Sequence, residues 1–450
     1  MQVRRYRVLR PWQSVGLRFL LKRSTAGLFL DMRLGKTLTI LRRIKLFPKP
    51  YKCLIVAPNA AIASWISDCT IEDMGYCLLH GTRKQRTKRL EQAWDDPNCT
   101  ICLINPEGHR VIPELSHYDW TAVVLDESAS YLRNPTSGIT KYYTKRFAHV
   151  PYRYILTGTP NPEATLEIVP QMLFLGPFLG MDSFWTIRHN CFRTGFTGFG
   201  WLPKRGVAER MQKEMADKCL TMSRKDVGVH VGKTVERRVL EFPPHIRKMY
   251  VQLEKEFAIC NENSETFYTW ATQRFVAMRQ LCGGFVGEDC VWDGKLKELT
   301  SLVTGPLAHE SVVVWFSFVG PLLAAFERLK KAKVDVSYLY GKVPVSERIQ
   351  QIQSFNVGHP RVLLVQEKVG ETGMDLSAAD TAIYYSEPLS LITRKQTEDR
   401  ILQIHKDSLL YVHLLVKDSV DEDINTLLKG KRLNSSMFLR RVKMYAEGRM

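Results

Sequence analysis

The sequence predicts an α/β fold with two lobes, each a parallel β-sheet flanked by helices, and a helical insertion between them. Short apolar runs typical of strands alternate with helical stretches in the first and last parts of the chain, whereas the middle is richer in helix formers. Strands that alternate with helices form parallel sheets covered on both faces. We therefore expect lobe 1 over residues 1–165, the helical insertion and connection over 166–300, and lobe 2 over 301–450.

The strands of both lobes are predicted from short apolar runs that end in polar, glycine or proline turns. In the first lobe these runs are 28–30, 53–57, 100–104, 122–125 and 154–156. In the second lobe they are 312–316, 334–338, 361–365, 381–385 and 411–416. The middle shows helical spacing at 245–257 and 267–282, and a Gly-rich patch at 194–200 that we interpret as a loop.

Charge and cysteine usage narrow the functional class. The 450 residues carry a net charge of +18, which favours a polyanionic partner, and nucleic acid is the leading candidate. A membrane partner is not expected, because the sequence shows no strongly amphipathic lysine-rich helix and no apolar run long enough to span a bilayer. Ten cysteines show no regular framework, and Cys99 and Cys102 lie in an apolar run typical of a strand with buried thiols. This usage indicates a reducing, cytoplasmic compartment.

A strand, a short loop and a helix start carry a candidate phosphate-binding site at Gly35, Lys36 and Thr37. Gly35 would let backbone N–H groups approach phosphate, Lys36 would reach the outer phosphates, and the Thr37 hydroxyl would bind Mg²⁺. The glycine that the strict motif has five residues earlier is replaced by Leu30. A chance Gly-Lys-Thr at a helix start is therefore the alternative.

An acidic pair, Asp126 and Glu127, ends the apolar run 122–125. This position is the carboxyl edge of the predicted sheet, where ligands bind in such folds. Asp126 would hold the Mg²⁺ shell and Glu127 would orient or deprotonate the attacking water. The alternative is an acidic strand end that caps the next helix, which explains less once a phosphate loop lies upstream.

Two further segments are candidates for nucleotide chemistry. The run 154–156 leads into Thr-Gly-Thr-Pro at 157–160, which suits an element that couples nucleotide state to a DNA groove. Gln396-Thr-Glu-Asp-Arg400 begins a predicted helix, and Arg400 could stabilise charge on a transferring phosphoryl group. For an isolated Asp-Arg, a solvated helix face is the competing interpretation.

Taken in order, these blocks resemble the Swi/Snf-type family of superfamily-two helicases, from about residue 8 to 430. Arg10-Pro-Trp-Gln13 resembles the adenine-reading Q motif, and Asp31 to Thr37 resembles the phosphate loop, with Arg33 where the family usually has glycine. Residues 126–129 resemble the Asp-Glu-Ala-His box with its last two residues changed. Residues 223–226 resemble the connecting segment, 370–376 the fifth motif and 396–400 the sixth. The resemblance implies two RecA-like lobes.

The resemblance also implies specific site residues. The residues expected to be catalytic are Lys36, Asp126, Glu127 and Arg400. ATP is expected to contact Gln13, Arg33, Leu34, Gly35, Lys36, Thr37, Asp126, Gly373, Asp375 and Arg400, with Mg²⁺ held through water by Thr37 and Asp126. Contacts to the DNA are expected from Pro58, Asn59, Trp65, Arg133, Asn134, Thr157, Gly158, Thr159 and Thr372.

Several basic or altered positions keep alternatives open. Gln403 stands where the family has a second arginine of the sixth motif, so either Gln403 partly substitutes or a nearby arginine such as Arg394 takes over. The basic residues of 83–89 and of the C-terminal tail, 429–443, are either solvated faces or phosphate contacts.

The resemblance implies an ATP-dependent helicase or translocase that acts on duplex or branched DNA through backbone contacts. We expect a monomer in the cytoplasm of a bacterium or phage-infected host, with a role in repair, recombination or replication and with host proteins of those processes as further partners. Two alternatives remain. One is a weakly hydrolysing DNA clamp or annealing scaffold, and the other is an RNA-directed helicase.

Overall fold

The structure is a computed structural model that describes residues 7–158, 165–194, 200–258, 265–370, 374–403, 406 and 408–429. The chain divides into two units, Met1–His230 and Val231–Met450, each with its own dense internal packing. Within the described residues, no helix combines the length and apolar character needed to cross a membrane.

Unit 1 alternates strands with helices along most of its length. Its described elements are, in chain order, α1 Pro11–Leu21, β1 Thr25–Leu30, α2 Lys36–Lys45, β2 Cys53–Val56, α3 Asn59–Ile71, β3 Gly75–Leu78, α4 Arg83–Asp95, β4 Cys99–Ile104, β5 Ala122–Asp126, α5 Gly138–Arg146, β6 Tyr152–Thr157, α6 Ile168–Leu175, α7 Phe184–Cys191, β7 Phe192–Thr194, β8 Trp201–Pro203, α8 Val207–Lys218 and β9 Cys219–Met222. Seven of these strands form one parallel sheet in the order β3-β4-β2-β5-β6-β1-β9, and β7 and β8 form a separate antiparallel hairpin.

The central strands of unit 1 are apolar on both faces because helices cover both faces of the sheet. Every residue of β2, β4 and β5 is buried. Successive side chains of a strand point to opposite faces, and Leu54 and Val56 accordingly enter one hydrophobic core while Cys53 and Ile55 enter the other. The sheet therefore separates two hydrophobic cores, one on each of its faces.

Unit 2 has the same kind of architecture. Its described elements are β10 Gly232–Leu240, α9 Pro244–Ala258, α10 Glu265–Cys282, β11 Phe285–Val286, β12 Asp289–Cys290, α11 Gly294–Thr304, β13 Val312–Phe316, α12 Val319–Lys331, β14 Val336–Leu339, α13 Val345–Asn356, β15 Val362–Gln366, α14 Glu367–Gly370, β16 Thr381–Tyr384, α15 Leu391–Arg400, β17 Ser408–Val416 and α16 Val420–Lys429. Six strands form a parallel sheet in the order β10-β17-β16-β13-β15-β14. The predicted fold class, two parallel α/β lobes, is confirmed, and each of the ten predicted runs overlaps a strand.

The boundaries of the predicted domains are wrong. Residues 166–300 do not form a third body, because their first part supplies β9 to the sheet of unit 1 and their last part supplies β10 to the sheet of unit 2. The helices between belong to one unit or the other. The sequence hides this arrangement since β10 is an edge strand whose residues are mostly exposed and polar, which weakens the apolar signal on which strand prediction depends.

Candidate nucleotide site

Three adjacent strands of unit 1 bring the predicted nucleotide-binding residues together. The strands β5, β6 and β1 are neighbours in the sheet and run parallel. Their carboxyl ends therefore lie side by side, and each carries a predicted motif. Asp126 ends β5 and Glu127 follows it, Gly158 follows β6, and the loop 31–35 follows β1. The carboxyl edge of a parallel sheet is the usual place for a ligand.

The loop between β1 and α2 has the backbone of a phosphate cradle. Gly35 precedes the first residue of α2 and has a φ of 82°, and no side chain caps this helix. Its first N–H groups are thus available to an anion. A Cβ atom at Gly35 would lie 1.9 Å from Nε2 of Gln13, so only glycine fits there. Arg33 also has a positive φ, 70°, a backbone conformation that glycine adopts without strain.

Helix α1 packs against this loop through the predicted Q motif. The indole N–H of Trp12 donates to the Leu34 carbonyl at 3.0 Å. Gln13 is buried, with its Oε1 accepting from the Arg10 backbone N–H at 2.8 Å and its Nε2 facing Gly35. The structure therefore places Gln13 beside the phosphate loop. The Leu34 side chain is fully buried, so Leu34 can reach a nucleotide only through its backbone.

Lys36 lies where the loop and the ends of β1 and β6 converge. Its ammonium donates to the Leu30 carbonyl at 2.9 Å. A Cβ atom at Gly158 would stand 3.7 Å from Lys36 Nζ, so the Thr-Gly-Thr segment begins next to the lysine. The position of this segment beside a lysine that could bind phosphate suits its predicted coupling role.

The Asp126 carboxylate is buried and held from two sides. Its Oδ2 accepts from the Trp65 indole N–H at 2.8 Å, and its Oδ1 accepts from the Glu127 backbone N–H at 3.0 Å. Burial and the neighbouring Glu127 charge raise the pKa of Asp126 to about 6, although the Trp65 hydrogen bond and the Lys36 charge act in the opposite direction. A cation at this site would favour the ionised form further.

Glu127 is half-buried, with its backbone in the left-handed region at φ 47° and ψ 42°. Such a backbone is costly for a residue other than glycine and is found mainly at functional sites. The next residue fixes the turn, because the buried Ser128 hydroxyl donates to Gln171 Oε1 on α6 at 2.9 Å. Sequence reasoning missed this support, since Gln171 lies 43 residues away and has no motif around it.

The segment 223–226 docks on the start of the phosphate loop. The Arg224 backbone N–H donates to Asp31 Oδ2 at 3.0 Å, and the Asp31 N–H donates to the Met222 carbonyl at 3.0 Å. Ser223 is itself held by Asp226, whose Oδ2 accepts from its N–H and its hydroxyl. The connecting motif thus supports the phosphate loop from the edge of the sheet.

The residues present fit a magnesium nucleotide. A glycine cradle that a Cβ would fill, an uncapped helix start and a lysine provide for phosphates, and the half-buried Thr37 and the buried Asp126 carboxylate provide oxygen ligands for Mg²⁺. Oxygen donors of this kind are what Mg²⁺ prefers, usually through retained waters.

Two of the predicted DNA contacts are wrong. Trp65 is 1% exposed and Thr157 is fully buried, so neither side chain can meet a DNA backbone. Both lie on the inward side of elements that pack against the sheet, which a local sequence pattern does not reveal. Trp65 instead supports Asp126.

The other predicted DNA contacts differ in exposure. Asn59, Arg133 and Asn134 are exposed and Pro58 is half-buried, which is compatible with their predicted role. Thr159 and Thr372 lie outside the described residues, as does the predicted nucleotide ligand Gly373.

In unit 2, the fifth and sixth motifs contact each other. Arg400 is the last residue of α15, 4% exposed, and its carbonyl accepts from the Leu376 N–H at 3.2 Å. Asp375 is exposed and its Oδ1 accepts from the Ser377 N–H at 3.0 Å. The helix begins at Leu391 rather than at the predicted Gln396, and it ends before the exposed Gln403.

Arg394 is not the substitute for the missing arginine. Its guanidinium contacts Glu387 at 2.8 Å and Glu398 at 2.6 Å, and it stacks on Tyr384 with 4.0 Å between Cζ and the ring centroid. The side chain is only 12% exposed. Arg394 is thus committed to a buried ion-pair network of unit 2, and this alternative is wrong.

The basic cluster of 83–89 is partly structural. Arg83 pairs with Glu114, Arg86 donates to Asn105, and Arg89 donates to His80. Lys84 and Lys88, also within this cluster, are exposed. The basic tail beyond Lys429 lies outside the described residues.

Comparison with known families gives a direct match. The model of the SNF2-related domain matches residues 12–282, and that of the helicase conserved C-terminal domain matches residues 294–405. The first of these covers more than half of the chain. Together the two matches cover most of both units, including the phosphate loop, the acidic pair and the fifth and sixth motifs.

Several curated proteins are similar over most of this chain. The ISWI chromatin-remodeling complex ATPase ISW1 of Saccharomyces cerevisiae is 24% identical over 92% of this chain and 39% of its own length. YwqA of Bacillus subtilis, whose name describes an ATP-dependent helicase/translocase, is 22% identical over 94% of this chain and 48% of its own length. The chain therefore spans less than half the length of these relatives.

A solved structure, the SWI2/SNF2 ATPase core of Sulfolobus solfataricus in complex with double-stranded DNA, is 18% identical with a TM-score of 0.46, over 98% of this chain and 94% of that chain. The family itself rests on the two domain matches. From these matches, the chain belongs to the SNF2 family of ATP-dependent helicases, which use ATP with Mg²⁺.

Proposed function

We propose that this chain is a DNA-stimulated ATPase that moves along duplex or branched DNA. The observation that carries the proposal is the convergence of Gln13, Lys36, Asp126 and Gly158 at the carboxyl ends of adjacent parallel strands. Chance occurrence of separate motifs does not account for this convergence. It is the geometry that ATP binding requires.

The chemistry divides among the residues of this site. Lys36 and the start of α2 bind the phosphates, and Gln13 reads the base. Mg²⁺, held by Thr37 and Asp126, would neutralise charge on the phosphate oxygens. Glu127 accepts a proton from the attacking water or orients it. We propose that Arg400 supplies further positive charge to the transferring phosphoryl group, with no contribution from Arg394.

The charge of the chain and several exposed residues support DNA as the polymer along which it moves. The net charge of +18 favours a polyanion. Asn59, Arg133 and Asn134 are exposed and suit contacts to phosphates, which carry no sequence information. A matched relative is named as part of a chromatin-remodeling complex, which favours DNA over RNA.

We extend the proposal to remodelling of branched DNA in repair, recombination or replication, by a monomer in the cytoplasm. The support for the compartment is the set of buried free thiols, which suit reducing conditions. Proteins of those same processes are the proposed partners.

Steady-state ATP hydrolysis, with and without saturating duplex DNA, tests the proposal. We expect stimulation by DNA in the wild-type chain and none in Lys36→Ala. Glu127→Gln should bind ATP and stall, since loss of a general base typically costs about 10²–10⁴-fold in rate. Parallel reactions with single-stranded DNA and RNA identify the nucleic acid.

The outcomes separate the alternatives. DNA binding without hydrolysis above the level of Lys36→Ala would contradict the motor and favour the clamp or annealing scaffold. Stimulation by RNA alone would favour an RNA-directed helicase. Normal turnover in Glu127→Gln would mean that another group acts as the base.

A further inference from the structure

We propose that an aromatic and basic surface formed by α7, β7 and β8 binds an unpaired, single-stranded stretch of DNA. We call it the α7–β8 surface and define it by Trp185, Arg188 and Trp201. It deepens the proposed function and rests on it, because a protein that remodels branched DNA meets unpaired bases where strands separate. Among the described residues, this surface lies outside the nucleotide site.

The core of the surface is a stack of two indole rings and a guanidinium. Arg188 Cζ lies 4.4 Å from the ring centroid of Trp185 and 4.5 Å from that of Trp201. The guanidinium therefore contacts both rings and holds them in fixed positions. Despite this contact, Trp185 keeps 48% of its surface exposed, which is unusual for so large an apolar side chain and leaves area for a further planar group.

The stack rests on a well-anchored base. Ile187, Cys191 and Phe192 are buried in the core of unit 1. The Lys204 N–H donates to the Cys191 carbonyl at 2.8 Å, and its ammonium donates to the His189 carbonyl at 3.0 Å. Because the base is fixed, the exposed rings are positioned before any ligand arrives, which lowers the entropic cost of binding.

The segment that carries the stack is mostly basic. Residues 183–208 carry Arg188, Arg193, Lys204 and Arg205 and no carboxylate, with the exposed Asp182 and Glu209 on either side. Arg193 and Leu202, which are paired in register, lie on the face of the hairpin opposite to Trp201. The cations of this segment favour a polyanion near the exposed ring of Trp185.

This combination favours single-stranded DNA over other occupants. Proteins that bind single strands combine a basic path for the backbone with aromatic side chains on which bases stack. A base inside a duplex offers its edges but not its faces, so a stacking platform selects unpaired bases. A purely apolar protein partner would not require the run of cations without carboxylates.

Fluorescence anisotropy with a labelled oligothymidylate, at fixed salt, tests this proposal on the full chain. We expect Trp185→Ala to weaken binding about tenfold or more, as the removal of a stacking residue does in such sites. Trp185→Phe should keep most of the affinity. Tyr76→Ala, which removes another exposed aromatic of unit 1, is the matched control and should bind as the wild type does.

Duplex-stimulated ATP hydrolysis, measured on the same variants, separates this proposal from the proposed function. We expect Trp185→Ala to keep it, whereas a wild-type chain without hydrolysis would contradict the motor and leave the oligothymidylate result intact. Photo-crosslinking of an oligonucleotide with iodinated uracils to the wild-type chain should label residues 183–208, and it requires no variant to fold. Unchanged affinity in Trp185→Ala, an equal loss for duplex and single strand, or crosslinks confined elsewhere would overturn the proposal.

Discussion

Trp65 shows how one side chain can be recognised in sequence and yet misassigned. The family resemblance implied a DNA contact for Trp65, but its burial and its hydrogen bond to Asp126 make it a positioning residue for the acid that would hold Mg²⁺. Burial depends on packing between distant segments, here 61 residues apart. Lys36, Asp126 and Glu127 could be predicted because their motifs are local.

Replacing Trp65 by phenylalanine should weaken the metal site. The change removes a hydrogen bond to a charged group, worth about 1.5–3 kcal/mol, so the Mg²⁺ concentration for half-maximal hydrolysis should rise about tenfold or more. The pKa of Asp126, already raised to about 6 and lowered by this bond, should rise further. The acid limb of activity should therefore move toward neutral pH.

Trp120→Phe is the matched control. Trp120 is equally buried and donates its indole N–H to the Leu115 carbonyl at 2.8 Å, so it should lose similar stability without a shift in Mg²⁺ dependence. Equal Mg²⁺ dependence in both variants would show that Trp65 acts only in packing.

Gly35→Ala should weaken ATP binding without unfolding unit 1. The new Cβ would displace Gln13, and the left-handed backbone costs a non-glycine residue about 1–2 kcal/mol. Equilibrium binding of a fluorescent ATP analogue should weaken about tenfold or more. Gly138→Ala, which places a Cβ in open space, should bind as the wild type does. If both variants bound equally well, the cradle would lie elsewhere.

At the scale of elements, a buried ion pair ties α11 to α16 in unit 2. The Lys295 ammonium contacts Asp421 at 2.6 Å and donates to the Tyr385 carbonyl at 2.9 Å, with Lys295 only 1% exposed. Burial raises the pKa of Asp421, and the lysine opposes this rise. Each buried charge is therefore stabilised by the other and not by water.

Lys295→Met should destabilise unit 2 by about 3–5 kcal/mol, because it leaves a buried carboxylate without its cation. The double variant with Asp421→Leu should recover most of this loss. Urea unfolding of both variants measures the free energies. A single variant that costs less than the double variant would contradict the mutual dependence of the pair.

The two arginines of α15 should behave differently. Arg400→Ala should lower kcat by about 10³–10⁵-fold with ATP affinity nearly unchanged, as expected for a group that acts on the transition state. Arg394→Ala should instead lower the stability of unit 2, because it breaks the pairs with Glu387 and Glu398. Steady-state kinetics and thermal unfolding of both variants distinguish them. A selective loss of ATP affinity in Arg400→Ala would contradict its proposed role.

The same scale shows where sequence patterns fail. The buried strands β2, β5 and β13 were predicted because their apolar residues are continuous, whereas β3 and β10 at sheet edges are half or mostly exposed. Edge strands need fewer apolar residues, so they give a weak signal. Because β9 and β10 were not predicted, the sequence analysis placed domain boundaries at 165 and 300. The structure has a single boundary at 230.

At the scale of the whole molecule, charge and topology point to one activity. Most of the net charge of +18 lies within residues 1–230, which form unit 1. This charge suits contacts to phosphates, and affinity for DNA should therefore fall steeply with salt. The fold class was predictable because strand and helix alternate throughout the chain. The α7–β8 surface was not predictable, since its stack joins residues on separate elements.

Displacement of a third strand from a DNA triplex tests the central claim, ATP-driven movement along duplex DNA, most directly. A fluorescent third strand is annealed at one place on a duplex, and its release is followed with and without ATP. We predict ATP-dependent release by the wild-type chain, and none by Glu127→Gln, which should bind ATP and DNA without turnover. DNA-stimulated hydrolysis by the wild type without any release would contradict the claim, and would mean that the chain uses ATP to bind DNA and not to move along it.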